Sequence, residues 1–154
     1  MEMRQKAMGV AAALLAGRMY TCREIYDRLV RRGYDKELAE QVVEEFVRAG
    51  FLNDARYAQC YIADAAALGA KGKTRIRQEL RQKGVAAKVI DDAMEEAEAD
   101  FAGALADYVR QRDLCAAVHS RKDLEKLKAR LLRRGYFMKE INRCLEEYSF
   151  NFDE

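Results

Sequence analysis

A glycine-ended apolar skeleton recurs along this chain at a fixed interval of 51 residues: Ile25, Leu29 and Gly33 return as Ile76, Leu80 and Gly84, and again as Leu127, Leu131 and Gly135. A spacing held over two steps without a gap requires one supersecondary unit copied three times, each copy leaning on its neighbour for burial. The register continues past the glycines. Ala39, Ile90 and Ile141 are equivalent, as are Val43, Met94 and Leu145, and the acidic pairs Glu44/Glu45, Glu95/Glu96 and Glu146/Glu147.

Each copy reads as three helices. The second is the most sharply marked: Thr21 with Glu24 forms a capping-box start, Ile25 and Leu29 set an apolar stripe, and Gly33 after Arg31 and Arg32 is a stop. Copies two and three repeat the ending as Gln82, Lys83, Gly84 and Arg133, Arg134, Gly135, and copy three opens one turn earlier, at Ser120 with Asp123. Tyr34, Val85 or Tyr136 then folds back over the helix end before the third helix, whose apolar positions are Ala39, Val42, Val43, Phe46 in copy one and Ile141, Cys144, Leu145, Tyr148 in copy three. First helices are expected near Gln5–Ala16, Ala55–Leu68 and Phe101–Val118, with Asn53 or Asp54 capping the central one and a loop at Leu68–Gly72.

Composition agrees. The 154 residues contain no proline and no tryptophan, so no strong helix breaker interrupts any segment. The predicted fold is all-α: three tandem three-helix repeats with a 51-residue period, stacked into an array, at residues 1–52, 53–98 and 99–154 with the C-terminal tail. The aromatic tail Tyr148, Phe150, Phe152 is expected to pack across the last copy. The longest apolar run, Val10–Ala16, is far short of the roughly 20 residues a membrane-spanning helix needs, and no signal-peptide pattern surrounds it. A cytoplasmic protein is expected, with no membrane partner. Cys22, Cys60, Cys115 and Cys144 lie far apart, with His119 the sole histidine, so zinc-ligand spacing is lacking and no metal is expected.

The formal charge of +2 conceals a separation by helix type. Cations outnumber acids four to two over Thr21–Tyr34, six to one over Lys71–Gly84 and seven to two over Ser120–Gly135. The third helices reverse this, at two to five over Asp35–Arg48 and one to five over Val85–Glu98. Some of these cations need no partner, because Arg31, Arg32, Lys83, Arg133 and Arg134 complement the helix dipole just before a glycine stop. The central copy resists that reading. Lys73, Arg77 and Arg81, at i, i+4 and i+8, share one stripe beside Ile76 and Leu80, whereas their equivalents are Cys22, Tyr26, Val30 and Leu124, Lys128, Leu132. A face largely apolar in the flanking copies is wholly cationic in the middle one, which predicts a site for phosphates or acidic side chains flanked by Lys71, Arg75 and Lys83. Lys126, Arg130, Arg133 and Arg134 form a secondary basic patch.

Two motifs imitate chemistry. Gly72, Lys73, Thr74 resembles the end of a phosphate-binding loop, but Ala67 stands where its leading glycine belongs and no strand precedes it, so no nucleotide cofactor is expected. The glutamate pairs recur in every copy, unlike a catalytic constellation, which is assembled once from converging elements. Neither they nor His119 designate an enzyme or a small-molecule substrate.

The segment from Gly50 to Ala58 (Gly-Phe-Leu-Asn-Asp-Ala-Arg-Tyr-Ala), followed by Gly72 to Gly84 (Gly-Lys-Thr-Arg-Ile-Arg-Gln-Glu-Leu-Arg-Gln-Lys-Gly), resembles the RecX family of bacterial recombination regulators, most closely from Arg48 to Ala97. The resemblance implies an elongated, curved, all-helical protein that binds the RecA filament and restrains its ATPase, strand-exchange and coprotease activities, with no enzyme activity of its own. It implies that Lys73, Arg75, Arg77 and Arg81 face the filament groove, where acidic RecA surfaces and DNA phosphates meet. The sequence departs from the family pattern after Tyr61-Ile62, where Ala63-Asp64-Ala65-Ala66 replaces the usual arginines. Two other readings stand beside it: a sequence-independent binder of single- or double-stranded DNA acting without RecA, and a helical adaptor for an unrelated acidic protein. Whatever the partner, Leu80 belongs to the scaffold. Leu80→Ala should lower unfolding free energy by roughly 2 to 5 kcal/mol in denaturant melts, through a core cavity.

Overall fold

The computed structural model describes residues 2–68 and 70–152. Among these residues the regular structure is entirely helical: α1 (Glu2–Gly17), α2 (Cys22–Arg31), α3 (Lys36–Arg48), α4 (Asp54–Ala67), α5 (Lys73–Gln82), α6 (Ala87–Glu96), α7 (Phe101–Gln111), α8 (Arg121–Arg133) and α9 (Met138–Leu145), with a short 3-10 turn at Leu114–Ala117. The chain is all-α, as its composition and periodicity predict. Helices α3, α6 and α9 begin at Lys36, Ala87 and Met138, and α2 and α5 at Cys22 and Lys73, all in the register of the skeleton. Helix α8 starts earlier, as its Ser120 cap predicts.

The second helices end alike. The N–H of Tyr34 bonds to the carbonyl of Leu29 and that of Gly33 to Val30; Val85 to Leu80 and Gly84 to Arg81 repeat the pair, as do Tyr136 to Leu131 and Gly135 to Leu132. This double closure satisfies orphan carbonyls but demands a left-handed residue, and Gly33, Gly84 and Gly135 have φ of 96°, 91° and 100°. The skeleton's apolar positions Ile25, Leu29, Ile76, Leu80, Leu127 and Leu131 are all buried.

Starts differ more. Thr21 and Glu24 make the full reciprocal box, with the Glu24 N–H donating to Thr21 Oγ1 at 3.1 Å and the Thr21 N–H to Glu24 Oε1 at 2.9 Å. Asn53 caps the central first helix through the Arg56 N–H. Ser120 accepts from the Asp123 N–H, but Asp123 reaches back to the N–H of His119, which gives that histidine's backbone a structural role.

Two compact units divide the chain, Met1–Cys60 with Leu80–Glu95 and Tyr61–Glu79 with Glu96–Glu154. In the first, Ala7, Ala11, Tyr20, Ile25, Leu29, Ala39, Val42, Phe46 and Leu52 form the core of α1 to α3, with Cys22, Tyr26, Val30 and Val43 packed against it. In the second, Leu105, Tyr108, Val109, Leu127, Leu131, Tyr136, Ile141 and Leu145 form the core of α7 to α9. Burial pushes the Tyr136 phenol up to about 12.

Two expectations change in detail. The first helix of the last copy does not reach Val118: α7 ends at Gln111, and Asp113 turns left-handed at φ 49°, a conformation that a short polar side chain tolerates, before the 3-10 turn. Cys144 is half-buried at the edge of the core, where desolvation raises its thiol. In the tail, Tyr148 packs against the core cluster and Phe150 stacks on Tyr148 and Phe152; Asp153 and Glu154 lie outside the described residues, as does Gly69 of the predicted loop.

Within each unit, the start of one second helix meets the glycine end of the next. In the first unit, the buried Thr21 hydroxyl donates to the carbonyl of Lys83 at 2.6 Å, and a Cβ on Gly84 would collide with the Arg23 side chain. In the second unit, the N–H groups of Gly72 and Thr74 donate to the carbonyls of Arg134 and Gly135 at 2.8 and 3.1 Å. A Cβ on Gly135 would stand 2.5 Å from the Cβ and backbone nitrogen of Arg75, while one on Gly33 would meet nothing within 4 Å. Gly33→Ala should therefore cost only the left-handed strain, about 1 to 2 kcal/mol. Gly135→Ala should lose a further 1 to 3 kcal/mol or so by overpacking. Chemical denaturation of the two variants side by side checks the difference.

Candidate partner and nucleic-acid interface

The predicted cations of the central helix have two kinds of surroundings. Lys71 and Arg75 turn inward on Glu79. The Lys71 ammonium donates to both carboxylate oxygens at 2.9 and 3.1 Å, the Arg75 Nε to Oε2 at 3.3 Å, and the Tyr61 hydroxyl to Oε1 at 2.5 Å. Lys71 also stands 5.9 Å from the centre of the Tyr61 ring. Burial disfavours the Glu79 carboxylate, yet the bonds from Tyr61, Lys71 and Arg75 together outweigh it and hold the carboxyl below its ordinary range. Both cations share this one carboxylate, which anchors the segment before α5.

The predicted stripe behaves differently. Lys73, at the first turn of α5, places its ammonium 5.3 Å from the ring centre of the buried Phe101, a cation–π contact. Arg77 is half-buried and Arg81 is exposed. At the end of α5, Lys83 lies 4.0 Å from Glu24, and its carbonyl takes the Thr21 hydroxyl. The phosphate-loop look-alike is explained by packing. Gly72 is a glycine because a Cβ would strike the backbone of Gly135 and Tyr136, and the N–H groups of Gly72 and Thr74 are already donated to protein carbonyls.

The secondary patch on α8 also divides. Lys126 and Arg133 are exposed. Arg130 and Arg134 converge on Tyr108 of α7: Arg130 donates to its hydroxyl at 3.0 Å, and the Arg134 guanidinium lies 4.4 Å from the ring centre while its Nε donates to the carbonyl of Ala70. Arg112 joins them at 5.0 Å from the same ring. Sequence reasoning missed Tyr108 and Arg112. Their i, i+4 spacing placed them on one helix face, but only the tertiary fold sets that face against α8. A smaller cluster, Arg18 and Arg28 at 4.6 and 4.9 Å from the Tyr20 ring, escaped it for the same reason.

Among the described residues no three His, Cys, Asp or Glu side chains gather as a metal site, and no helix is long and apolar enough to cross a membrane. The cysteines are free; desolvation by burial, helped by Asp54, pushes the Cys22 thiol up to about 12.

Family comparison supports the same architecture. The model described as RecX, first three-helix domain, matches residues 7–46, and RecX, second three-helix domain, matches residues 53–94. The regulatory protein RecX of Halorhodospira halophila is 38% identical over 132 residues, covering 85% of this chain and 81% of that one. The chain belongs to the RecX family. The RecX of Clostridium tetani is 25% identical over 150 residues, 95% of this chain and 68% of its own. Among solved structures, a regulatory protein RecX superposes with a TM-score of 0.78 at 25% identity, covering 94% of this chain and 72% of that one. RecX from Lactobacillus salivarius gives 0.78 at 21% identity, with 95% and 96% covered, and shares the fold.

The Glu79 network yields a pH signature in this RecX chain. A carboxyl held low in the folded state contributes stability above its unfolded value, about 4.3, and loses it as pH falls through the lower folded value. Thermal melts of wild type and Glu79→Gln should differ most near neutral pH and converge as the pH drops below about 4.

Proposed function

We propose that this RecX-family protein regulates homologous recombination by binding the RecA nucleoprotein filament and restraining its ATPase, strand-exchange and coprotease activities. It acts in the cytoplasm by docking its three-helix repeats, at 1–52, 53–98 and 99–154, and performs no catalysis. The observation that carries this reading is the row Lys73, Arg77, Arg81 on α5. In the first copy the equivalent Cys22, Tyr26 and Val30 pack against their own core, so the same helix face is spent on folding there. In the central copy it is cationic, and Arg81 is exposed. Cations retained on a face that the fold covers elsewhere with apolar side chains are explained by an external anion, and the filament supplies both carboxylates and phosphates. Arg75 and Lys71 contribute by fixing the approach to α5 through Glu79 rather than by contact.

The test is RecA's DNA-dependent ATPase with purified protein at stoichiometric amounts. Wild type should inhibit, and Lys73→Glu combined with Arg77→Glu and Arg81→Glu should abolish inhibition with helicity retained, while the exposed Arg81→Glu alone should weaken inhibition with melting nearly unchanged. An ATPase indifferent to wild type rejects the regulator; inhibition that survives the triple reversal rejects the row. Inhibition lost together with affinity for bare DNA favours the second reading, a sequence-independent DNA binder acting without RecA.

A further inference from the structure

Three guanidinium groups gather around one phenol in the second unit. Arg134, Arg112 and Arg130 lie 4.4, 5.0 and 5.9 Å from the ring centre of Tyr108, and Arg130 also donates to its hydroxyl at 3.0 Å. The ring itself is buried, while Arg112 and Arg130 are exposed. Among the described residues no carboxylate pairs with Arg112 or Arg130; the nearby acid Asp107 is bonded to Arg110 at 2.5 Å. Holding the Arg112 and Arg130 charges together beside one small ring is unfavourable in itself, and the negative face and hydroxyl of one tyrosine compensate only in part.

We propose that Arg112, Arg130 and Arg134, held in place by Tyr108, form a phosphate-binding site for a nucleic-acid strand, separate from the row on α5. The chemistry selects this occupant over an acidic protein. Guanidinium forks match phosphate oxygens two at a time, and phosphate contacts supply most of the affinity in sequence-independent nucleic-acid binding. A protein interface centres on exposed apolar or aromatic anchors, whereas the Tyr108 ring is buried beneath the cations, and Lys126 and Arg133 of α8 are exposed as well. For the same reason bases do not stack on Tyr108. The strand is held by its backbone, without reading sequence, and Tyr108 is a positioning residue that fans the guanidiniums outward. Arg134 is the inner member, tied by its Nε to the Ala70 carbonyl at 3.0 Å.

The proposal does not depend on RecA, and its test separates the two. Fluorescence anisotropy with a labelled duplex oligonucleotide, in the absence of RecA and across a salt series, should show binding by wild type. Arg112→Gln with Arg130→Gln should bind more weakly, with a slope of log affinity against log salt shallower by about 1.8, two phosphate contacts at about 0.9 each. The single variant Arg112→Gln, at an exposed side chain, should show half that change and guards against a folding defect. Tyr108→Phe, which loses the hydroxyl that orients Arg130 but keeps the ring, should weaken binding with the slope largely retained. No binding by wild type, or an unchanged slope in the Arg112/Arg130 variants, overturns the site. So does a variant that loses RecA inhibition while its oligonucleotide binding stays intact, since the cluster then serves a protein surface.

Discussion

The structure of this chain depends on helix ends that satisfy one another. A helix begins with N–H groups and finishes with carbonyls that its own hydrogen bonding leaves unpaired. At Gly72 to Gly135 the two deficits meet: the first donors of α5 fall on the last carbonyls beyond α8. Opposite poles of the two helix dipoles also meet there. The contact brings backbone against backbone, so it excludes a side chain at Gly72 and Gly135. In the first unit Thr21 achieves a comparable joint through its hydroxyl, which caps its own helix while donating to Lys83. The skeleton glycines thus have unequal duties: Gly33 supplies only a left-handed turn, whereas Gly84 and Gly135 supply the turn and the room for a neighbour.

That economy of space also sorts the charges. The basic residues nearest the second unit's joint are tied to the fold: Lys71 and Arg75 to Glu79, Arg134 to Ala70 and Tyr108. Arg81, Arg112, Arg130 and Arg133 are exposed. The two populations are adjacent in sequence and alike in composition, and they differ only in what lies opposite them. An excess of cations on the second helices is therefore not by itself a binding surface; what distinguishes α5 is that its cations replace side chains which, in α2, complete the core.

Much of the fold was legible in the sequence because its determinants are local. The Thr21/Glu24 box, the glycine stops and the apolar stripes act within a few residues, and each element they predict is present. Where non-local contacts decide, legibility failed. Nothing in the sequence distinguishes the scaffold cations Lys71 and Arg75 from Arg81, since Glu79 and Tyr61 claim the first two only after α4 and α5 fold. Tyr108 and Arg112 were invisible as a site because their partners Arg130 and Arg134 come from another helix. The break after Gln111 was missed because a single left-handed aspartate leaves no pattern.

The proposed contact is between the cations of α5 and an external anionic partner, the RecA filament. Co-sedimentation measures it most directly. Filaments assembled on DNA should carry wild-type protein into the pellet well beyond what bare DNA carries, and should leave the protein reversed at Lys73, Arg77 and Arg81 in the supernatant. Equal partition of wild type and the reversed protein, or pelleting no greater with filaments than with bare DNA, would contradict it.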